Sequence, residues 1–213
     1  MGAPLHVGVI PDGNRRWARR RGVSLREAYE AGYRRLVEVV DRLYERGARY
    51  VTVYVLSRDN ALRRPPQERA IISGLIVRGL RSLASDPRLE DRGVAVEVLG
   101  DESVLPASVR SEARRLVALT SGRGGGVLRL LIGYSSAWEV GVISMGEEPP
   151  SLRLPPVDLV VRTGGWRRLS DFVPLAASYA ELYFTETLWP DFTLEELEEA
   201  LRWFASVKRN FGA

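Results

Sequence analysis

His6-Val7-Gly8-Val9-Ile10-Pro11-Asp12-Gly13-Asn14-Arg15-Arg16-Trp17-Ala18 is a short apolar run that ends in a Pro-Asp-Gly-Asn turn and passes at once into an arginine-rich helical pattern. The spacing predicts a strand that delivers its C-terminal end into the start of a helix. A helix start carries unpaired N–H groups and about half a positive charge, so it is a ready anion site. Arg15, Arg16, Arg19, Arg20 and Arg21 add formal charge around it, with Asp12 an acid among cations. An acid beside a phosphate cradle points to a divalent metal bridging it to a diphosphate. An ordinary strand-turn-helix junction with a solvated basic helix would use the same residues, since glycine-rich turns are common.

Outward from this turn, short β-rich runs alternate with helical patterns. Ser24 to Arg46 reads as a long amphipathic helix with Leu25, Ala28, Leu36, Val39, Val40 and Leu43 on its apolar stripe, ended by Gly47. Tyr50 to Leu56 is a continuous apolar, β-branched run, as a parallel strand covered on both faces should be. Pro65 and Pro66 open a second long helix reaching about Ser85. Val94 to Leu99 reads as a strand, Ser103 to Ser121 as a helix, and Val127 to Ile132 as a strand. Ala137 to Met145 is helical and leads into a proline-rich connection. Val157 to Val161 and Ala180 to Phe184 are strands, and Thr193 to Val207 is a closing helix with Thr193 and Glu196 at capping-box spacing. The alternation predicts a single α/β domain spanning residues 1–213, with a central, mostly parallel sheet and helices on both faces. Ligands of such folds bind beyond the C-terminal strand ends, where Asp12–Arg16, Ser57–Arg64, Gly133–Ser136 and Arg162–Ser170 collect.

The bulk numbers agree with one sizeable core: 213 residues, 45% hydrophobic. The net charge of +4 is spread among residues of both signs, a bias toward anionic partners rather than a nucleic-acid signature. Lys208 is the only lysine, and arginine suits bidentate phosphate contacts, although the chain-wide skew reads mainly as genome composition. Without cysteine there is no disulfide or thiolate metal site, and the single histidine, His6, rules out a multi-histidine one. No run reaches the roughly 18–20 apolar residues of a membrane span. A cytoplasmic location is expected, with peripheral membrane contact left open.

Near the C-terminus Asp158-Leu159-Val160-Val161-Arg162-Thr163-Gly164-Gly165-Trp166-Arg167-Arg168-Leu169-Ser170 is again strand, glycine turn and arginines. Glycines admit an anion close to the backbone, and Arg162 and Arg168 can grip it from two sides. Two such sites at one strand edge suggest two phosphorylated substrates or one long one. Glu181, in Tyr179-Ala180-Glu181-Leu182-Tyr183-Phe184, is an acid in apolar surroundings; a surface carboxylate at a strand end would look the same.

Together these segments, with Leu188-Trp189-Pro190-Asp191-Phe192 and weaker matches at Tyr54–Asn60 and Gly133–Val140, resemble the cis-prenyltransferase family of undecaprenyl diphosphate synthase type. The resemblance covers nearly the whole chain in order. It implies Mg²⁺-dependent condensation of isopentenyl diphosphate with an allylic diphosphate, forming Z double bonds, by a homodimer or a heterodimer. Carried over by position, Asp12 binds Mg²⁺ and helps the diphosphate leave; Gly13, Asn14 and Arg16, flanked by Arg15 and Trp17, cradle the allylic diphosphate. Arg63 is likewise implied as substrate-binding. Arg162, Arg168 and Ser170 hold isopentenyl diphosphate, Glu181 completes the metal site across a dimer interface, and Ser57 and Asn60 lie near the reacting carbons. An apolar tunnel between the sheet and the two long helices is implied for the growing chain, with Val51, Val53 and Val55 as candidate lining and Gly74 and Gly79 as space-makers. His6 reads as a satisfied structural histidine.

The chain also departs from the family pattern. Tyr29 replaces a histidine, Leu25 an arginine, Ala61 a large aromatic, Ala137 an arginine and Trp166 an acid; the proline expected at 64 is displaced to Pro65, and Asn210-Phe211-Gly212 stands for Arg-x-Gly. A partner subunit supporting another prenyltransferase chain is the alternative these departures leave.

Overall fold

The computed structural model describes residues 5–209. Strand β1 (Leu5–Ile10) leads through the turn into α1 (Asn14–Arg21) and α2 (Leu25–Glu45). Next come β2 (Ala48–Ser57), a short α3 (Arg58–Arg63), α4 (Pro66–Ala84), α5 (Pro87–Asp91) and β3 (Val94–Leu99). The remainder is α6 (Ala107–Thr120), β4 (Gly126–Tyr134), α7 (Ser136–Ser144), β5 (Leu159–Arg162), β6 (Glu181–Phe184) and α8 (Leu194–Ser206). Among the described residues, six strands form one sheet in the order β3-β4-β2-β1-β5-β6, every pair parallel.

Local chemistry accounts for the element ends. Ser24 and Glu27 close a reciprocal capping box on α2, and Thr193 and Glu196 one on α8. Gly47 follows α2 in a left-handed conformation, φ 85°, as a helix stop should. The expected helix from Ser103 begins instead as a 3-10 turn at Glu102–Val104 and restarts at Ala107, because Pro106 forbids the preceding residue from staying helical. Helix α3 was not expected; Ser57 starts it by accepting a bond from the Asn60 N–H at 3.1 Å.

Side chains alternate across the sheet with the strand period of two. Val7, Val9, Val51, Val53, Leu159 and Val161 face the larger core, which α2, α4, α6 and α8 help to build. Ile10, Tyr54, Leu131 and Val160 face a smaller core closed by Phe172, Val173, Ala176 and Trp138 of α7. The second face is thus covered largely by irregular chain. Gly8 permits that cover: a Cβ there would lie 2.6 Å from the Phe172 ring.

His6 lies in this framework as a satisfied structural residue, fully buried. Its Nδ1 donates to the Pro155 carbonyl at 2.7 Å, so Nε2 accepts from the Thr52 hydroxyl at 2.8 Å. Burial pulls its pKa down to about 4. The His6 N–H also donates to Asp158 at 2.8 Å, binding the start of β1 to the chain entering β5.

The order of the strands reverses at β1, whose two neighbours are β2 and β5. Pairing Ile10 with Arg162 therefore sets the two glycine turns side by side at the switch point where such sheets take ligands.

Candidate active site

Gly13 caps α1 with φ 123°, and no side chain bonds to the first turn of the helix. A Cβ at Gly13 would meet Leu188 at 3.0 Å, so glycine serves both the backbone conformation and the close approach. The N–H groups of Asn14 to Arg16 are left for a ligand.

Asp12 is held in place by the second turn. Its N–H donates to the Thr163 hydroxyl at 3.0 Å, and that hydroxyl donates back to the Asp12 carbonyl at 2.8 Å. The carboxylate is a third exposed and reaches Arg16 Nη2 at 3.2 Å and Arg162 Nη2 at 3.1 Å. Arg162 is buried and donates from Nη1 to the Ser170 hydroxyl at 2.7 Å and to the Arg168 carbonyl. Burial lowers the Arg162 pKa, with Asp12 opposing; a guanidinium stays charged under such a shift. Arg16 also donates to the Gly164 carbonyl. A Cβ on Gly164 would sit 2.6 Å from Arg16 Nη2 and 2.9 Å from the Asp12 carbonyl, so the two turns fit only with glycine there.

Two cavities meet at these residues. A polar mouth of about 630 Å³ is lined by Asp12, Gly13, Asn14, Arg15, Arg16 and Arg19, with Leu25, Tyr29, Asn60, Arg64 and Trp166 completing it. A cavity of about 330 Å³ runs from Asp12, Arg162 and Ser170 between the sheet and the helices α2 and α4. Its inner walls are apolar: Leu36 from α2, Ile72, Leu75 and Ile76 from α4, and Val53 and Val55 from β2. Pro11, Asp12, Asn14, Tyr29, Asn60 and Arg64 belong to both spaces and form the neck. An anion-attracting mouth joined to an apolar channel suits a molecule with a diphosphate head and a hydrocarbon tail.

The expected tunnel is present, lined by Val53 and Val55 but not Val51, which is wholly core. Gly79 gives Tyr33 room, a Cβ there lying 3.0 Å from its ring, whereas Gly74 meets nothing. Gly32 plays a similar part for Asn14, whose Oδ1 is buried with no hydrogen-bond partner and ready to accept one.

Several expected residues fall elsewhere. Arg63 is 79% exposed, 3.8 Å from Asp59 on its own helix and off both cavities; the turn of α3 places Arg64 at the neck instead. Trp17 lies off both cavities, half-buried, with the Arg21 guanidinium over its ring at 5.7 Å, and so packs. The exposed Arg168 side chain stacks on Trp166 at 4.5 Å at the outer rim, and only its carbonyl serves Arg162. Ser57 lines the inner cavity, and its hydroxyl accepts from the Asn60 N–H at the start of α3. Glu181, expected to act across a dimer interface, opens the edge strand β6 in register with Leu159, three positions before the level of Arg162. Among the described residues no three His, Cys, Asp or Glu side chains are grouped to hold a metal. Asn210 lies outside the described residues. Thr163 and Arg64 were missed as site residues. Thr163 stood inside a motif already read, while Arg64 could be told from Arg63 only by the rotation of α3.

The comparisons agree with this geometry. The prenyltransferase family model of undecaprenyl diphosphate synthase matches residues 10–146 and 144–212. Tritrans,polycis-undecaprenyl-diphosphate synthase (geranylgeranyl-diphosphate specific) of Aeropyrum pernix is 39% identical over the full length of both chains. The farnesyl-diphosphate-specific ditrans,polycis-undecaprenyl-diphosphate synthase of Escherichia coli is 34% identical, covering 97% of this chain and 89% of its own. Among solved structures, lavandulyl diphosphate synthase from Lavandula x intermedia, in complex with dimethylallyl diphosphate, superposes with a TM-score of 0.85 at 25% identity, over 99% of this chain and 98% of that one. With matches along almost its entire length and a site of two joined glycine turns, this chain belongs to the undecaprenyl diphosphate synthase family of prenyltransferases.

Proposed function

We propose that the chain condenses isopentenyl diphosphate with an allylic diphosphate in the Z configuration and lengthens the product inside the channel between the sheet, α2 and α4. The observation that carries this reading is the neck, where Asp12 separates an arginine-lined mouth from an apolar cavity. In the reaction the allylic C–O bond breaks, the isopentenyl double bond attacks the carbon so released, and a proton leaves the new chain. The protein must hold the departing diphosphate and keep water from the cationic carbon. Gly13, Asn14, Arg15 and Arg16 bind the allylic diphosphate at the start of α1. Arg162 and Ser170 bind isopentenyl diphosphate, with Arg168 at the rim. Asn60 orients the reacting carbons at the neck, and the apolar walls exclude water.

Asp12 suits Mg²⁺, which commonly takes one or two carboxylates and completes its shell with substrate phosphates and water. When bound, the ion would neutralise charge on the leaving diphosphate. Glu181 would join Asp12 from a second copy of the chain: Leu182 on the edge strand and the nearby Leu175 and Tyr179 expose apolar surface that a homodimer would cover. No helix among the described residues is long and apolar enough to cross a membrane.

The test is the purified chain with Mg²⁺, labelled isopentenyl diphosphate and geranylgeranyl, farnesyl or dimethylallyl diphosphate, with products resolved by length. Elongation abolished by EDTA supports the proposal. Absence of product from the folded protein with every starter refutes it for this chain alone.

A further inference from the structure

Trp166 has no part in the roles above, yet it stands where the two turns meet. Gly164 and Gly165 are successive left-handed residues, with φ of 85° and 80°. Their N–H groups donate to the Thr187 and Thr185 carbonyls, each at 2.8 Å. A Cβ at Gly165 would run into the Glu186 carboxylate, so glycine is needed for the chain to turn this sharply. The turn carries Trp166 out of the second site and into the wall of the mouth that Gly13, Asn14 and Arg16 line. Its side chain is 49% exposed and belongs to neither core.

Two guanidiniums stand over that ring, Arg168 at 4.5 Å from its centre and Arg16 at 6.0 Å. An aromatic face is electron-rich, so it attracts a cation and offsets the repulsion between two of them. The two arginines depend on it unequally. Arg16 is also held by Asp12 at 3.2 Å and by the Gly164 carbonyl. The Arg168 guanidinium has no ion pair or hydrogen bond among the described residues, so the ring alone orients it. Besides burial, the charges of Arg168 and Arg16 lower the Arg162 pKa, so three cations crowd this junction around Asp12.

Building on the proposed function, we propose that Trp166 is a positioning residue that joins the two diphosphate sites: its ring holds Arg168 toward the isopentenyl diphosphate and steadies Arg16 on the allylic side. Without the ring, the Arg168 side chain regains rotamer freedom in water, and the ligand must remove that freedom on binding.

The experiment compares Trp166→Ala, Trp166→Phe and Arg168→Gln with Trp166→Ala combined with Arg168→Gln. KM is measured separately for each substrate alongside kcat, and the Kd of inorganic pyrophosphate by calorimetry. Losing an exposed cation–π contact predicts a rise of about fivefold in the isopentenyl KM for Trp166→Ala, and about twofold in the allylic KM, with kcat little changed. Trp166→Phe keeps an aromatic face and should recover part of the loss. In the combined variant the isopentenyl KM should equal that of Arg168→Gln alone, because the ring then has no Arg168 to hold. An isopentenyl effect of Trp166→Ala that persists in full beside Arg168→Gln, or unchanged KM values, at an unchanged melting temperature would overturn the proposal. If Trp166→Ala fails to fold, Trp166→Leu, which keeps apolar bulk without an aromatic face, decides by the same comparison. If the wild type turns over no isopentenyl diphosphate, the prenyltransferase reading fails on its own. Pyrophosphate then decides on Trp166: binding about fivefold weaker in Trp166→Ala and partly restored in Trp166→Phe upholds its role. Equal binding in all three proteins, or none to the wild type, removes it.

Discussion

After β1 the chain passes through Pro11-Asp12-Gly13 into the regular helix α1, whereas after β5 the similar run Thr163-Gly164-Gly165 enters an irregular loop. The first turn takes its anion-binding capacity from its own backbone, the open N–H groups of a helix start. The second has no helix to supply donors. It depends on the buried Arg162 side chain and on left-handed backbone at Ser170, Asp171 and Val173, with φ of 49°, 69° and 28°. Such conformations outside glycine cost roughly 1–3 kcal/mol each and persist only where surrounding contacts enforce them. Asp171 accepts from the Ser136 N–H at 2.8 Å, and Phe172 seats under Gly8, so those contacts come from α7 and β1. One turn is a local structure; the other is built by the rest of the molecule.

The largest expected effect tests the residue both turns share. Asp12→Asn keeps the shape of the side chain but removes the charge between Arg16 and Arg162, and kcat should fall on the order of 10³-fold with little change in circular dichroism. Near wild-type turnover would mean that the two turns act independently.

The second test addresses the opposite end of the same strand pair, where His6 binds β1 to the chain before β5. Its folded pKa, about 4, lies below the usual 6.5, so the unfolded chain takes up the proton first. Stability is then complete above about pH 6.5 and falls with pH down to about 4, by roughly 3 kcal/mol in all. As His6 is the only histidine, denaturant midpoints between pH 6.5 and 5 report on it directly. A flat profile there would show that the strand pair is not held through a neutral His6.

Gly164→Ala should cost roughly 3 kcal/mol, because φ is 85° and the new methyl would meet Arg16 and the Asp12 carbonyl. Gly22→Ala, at the end of α1 with φ 65° and nothing within 4 Å, should cost about 1 kcal/mol. Similar costs measured by urea unfolding would erase the distinction between enforced and local turns. The smallest effect is expected of Ser170→Ala, which removes one acceptor from Arg162: about 1 kcal/mol, read as a roughly fivefold higher KM for isopentenyl diphosphate.

Much of this was legible in one dimension. Strand runs, capping boxes and glycine stops are local signals, and all six strands and both long helices follow them. The order of the motifs along the chain carried the family. The rotation of a side chain about its helix is not a local signal. Helix α3 was masked because Ser57-Arg58-Asp59-Asn60 has no apolar periodicity, and without that helix Arg63 and Arg64 cannot be told apart. Trp17 and Arg168 sit within the right motifs but point to a neighbouring arginine and to Trp166.

Sequence alone was enough to establish the alternating α/β order, the strand-end glycine turns and Asp12 as the acid among arginines, since each rests on neighbours within a few residues, whereas the structural part of His6 rests on Thr52 and Pro155, far along the chain. Tertiary structure decided the pairing of Ile10 with Arg162, the neck at Asp12 and Arg64 in place of Arg63. Those depend on register and on side-chain direction between elements as much as 150 positions apart, such as Asp12 and Arg162, and no local pattern encodes either.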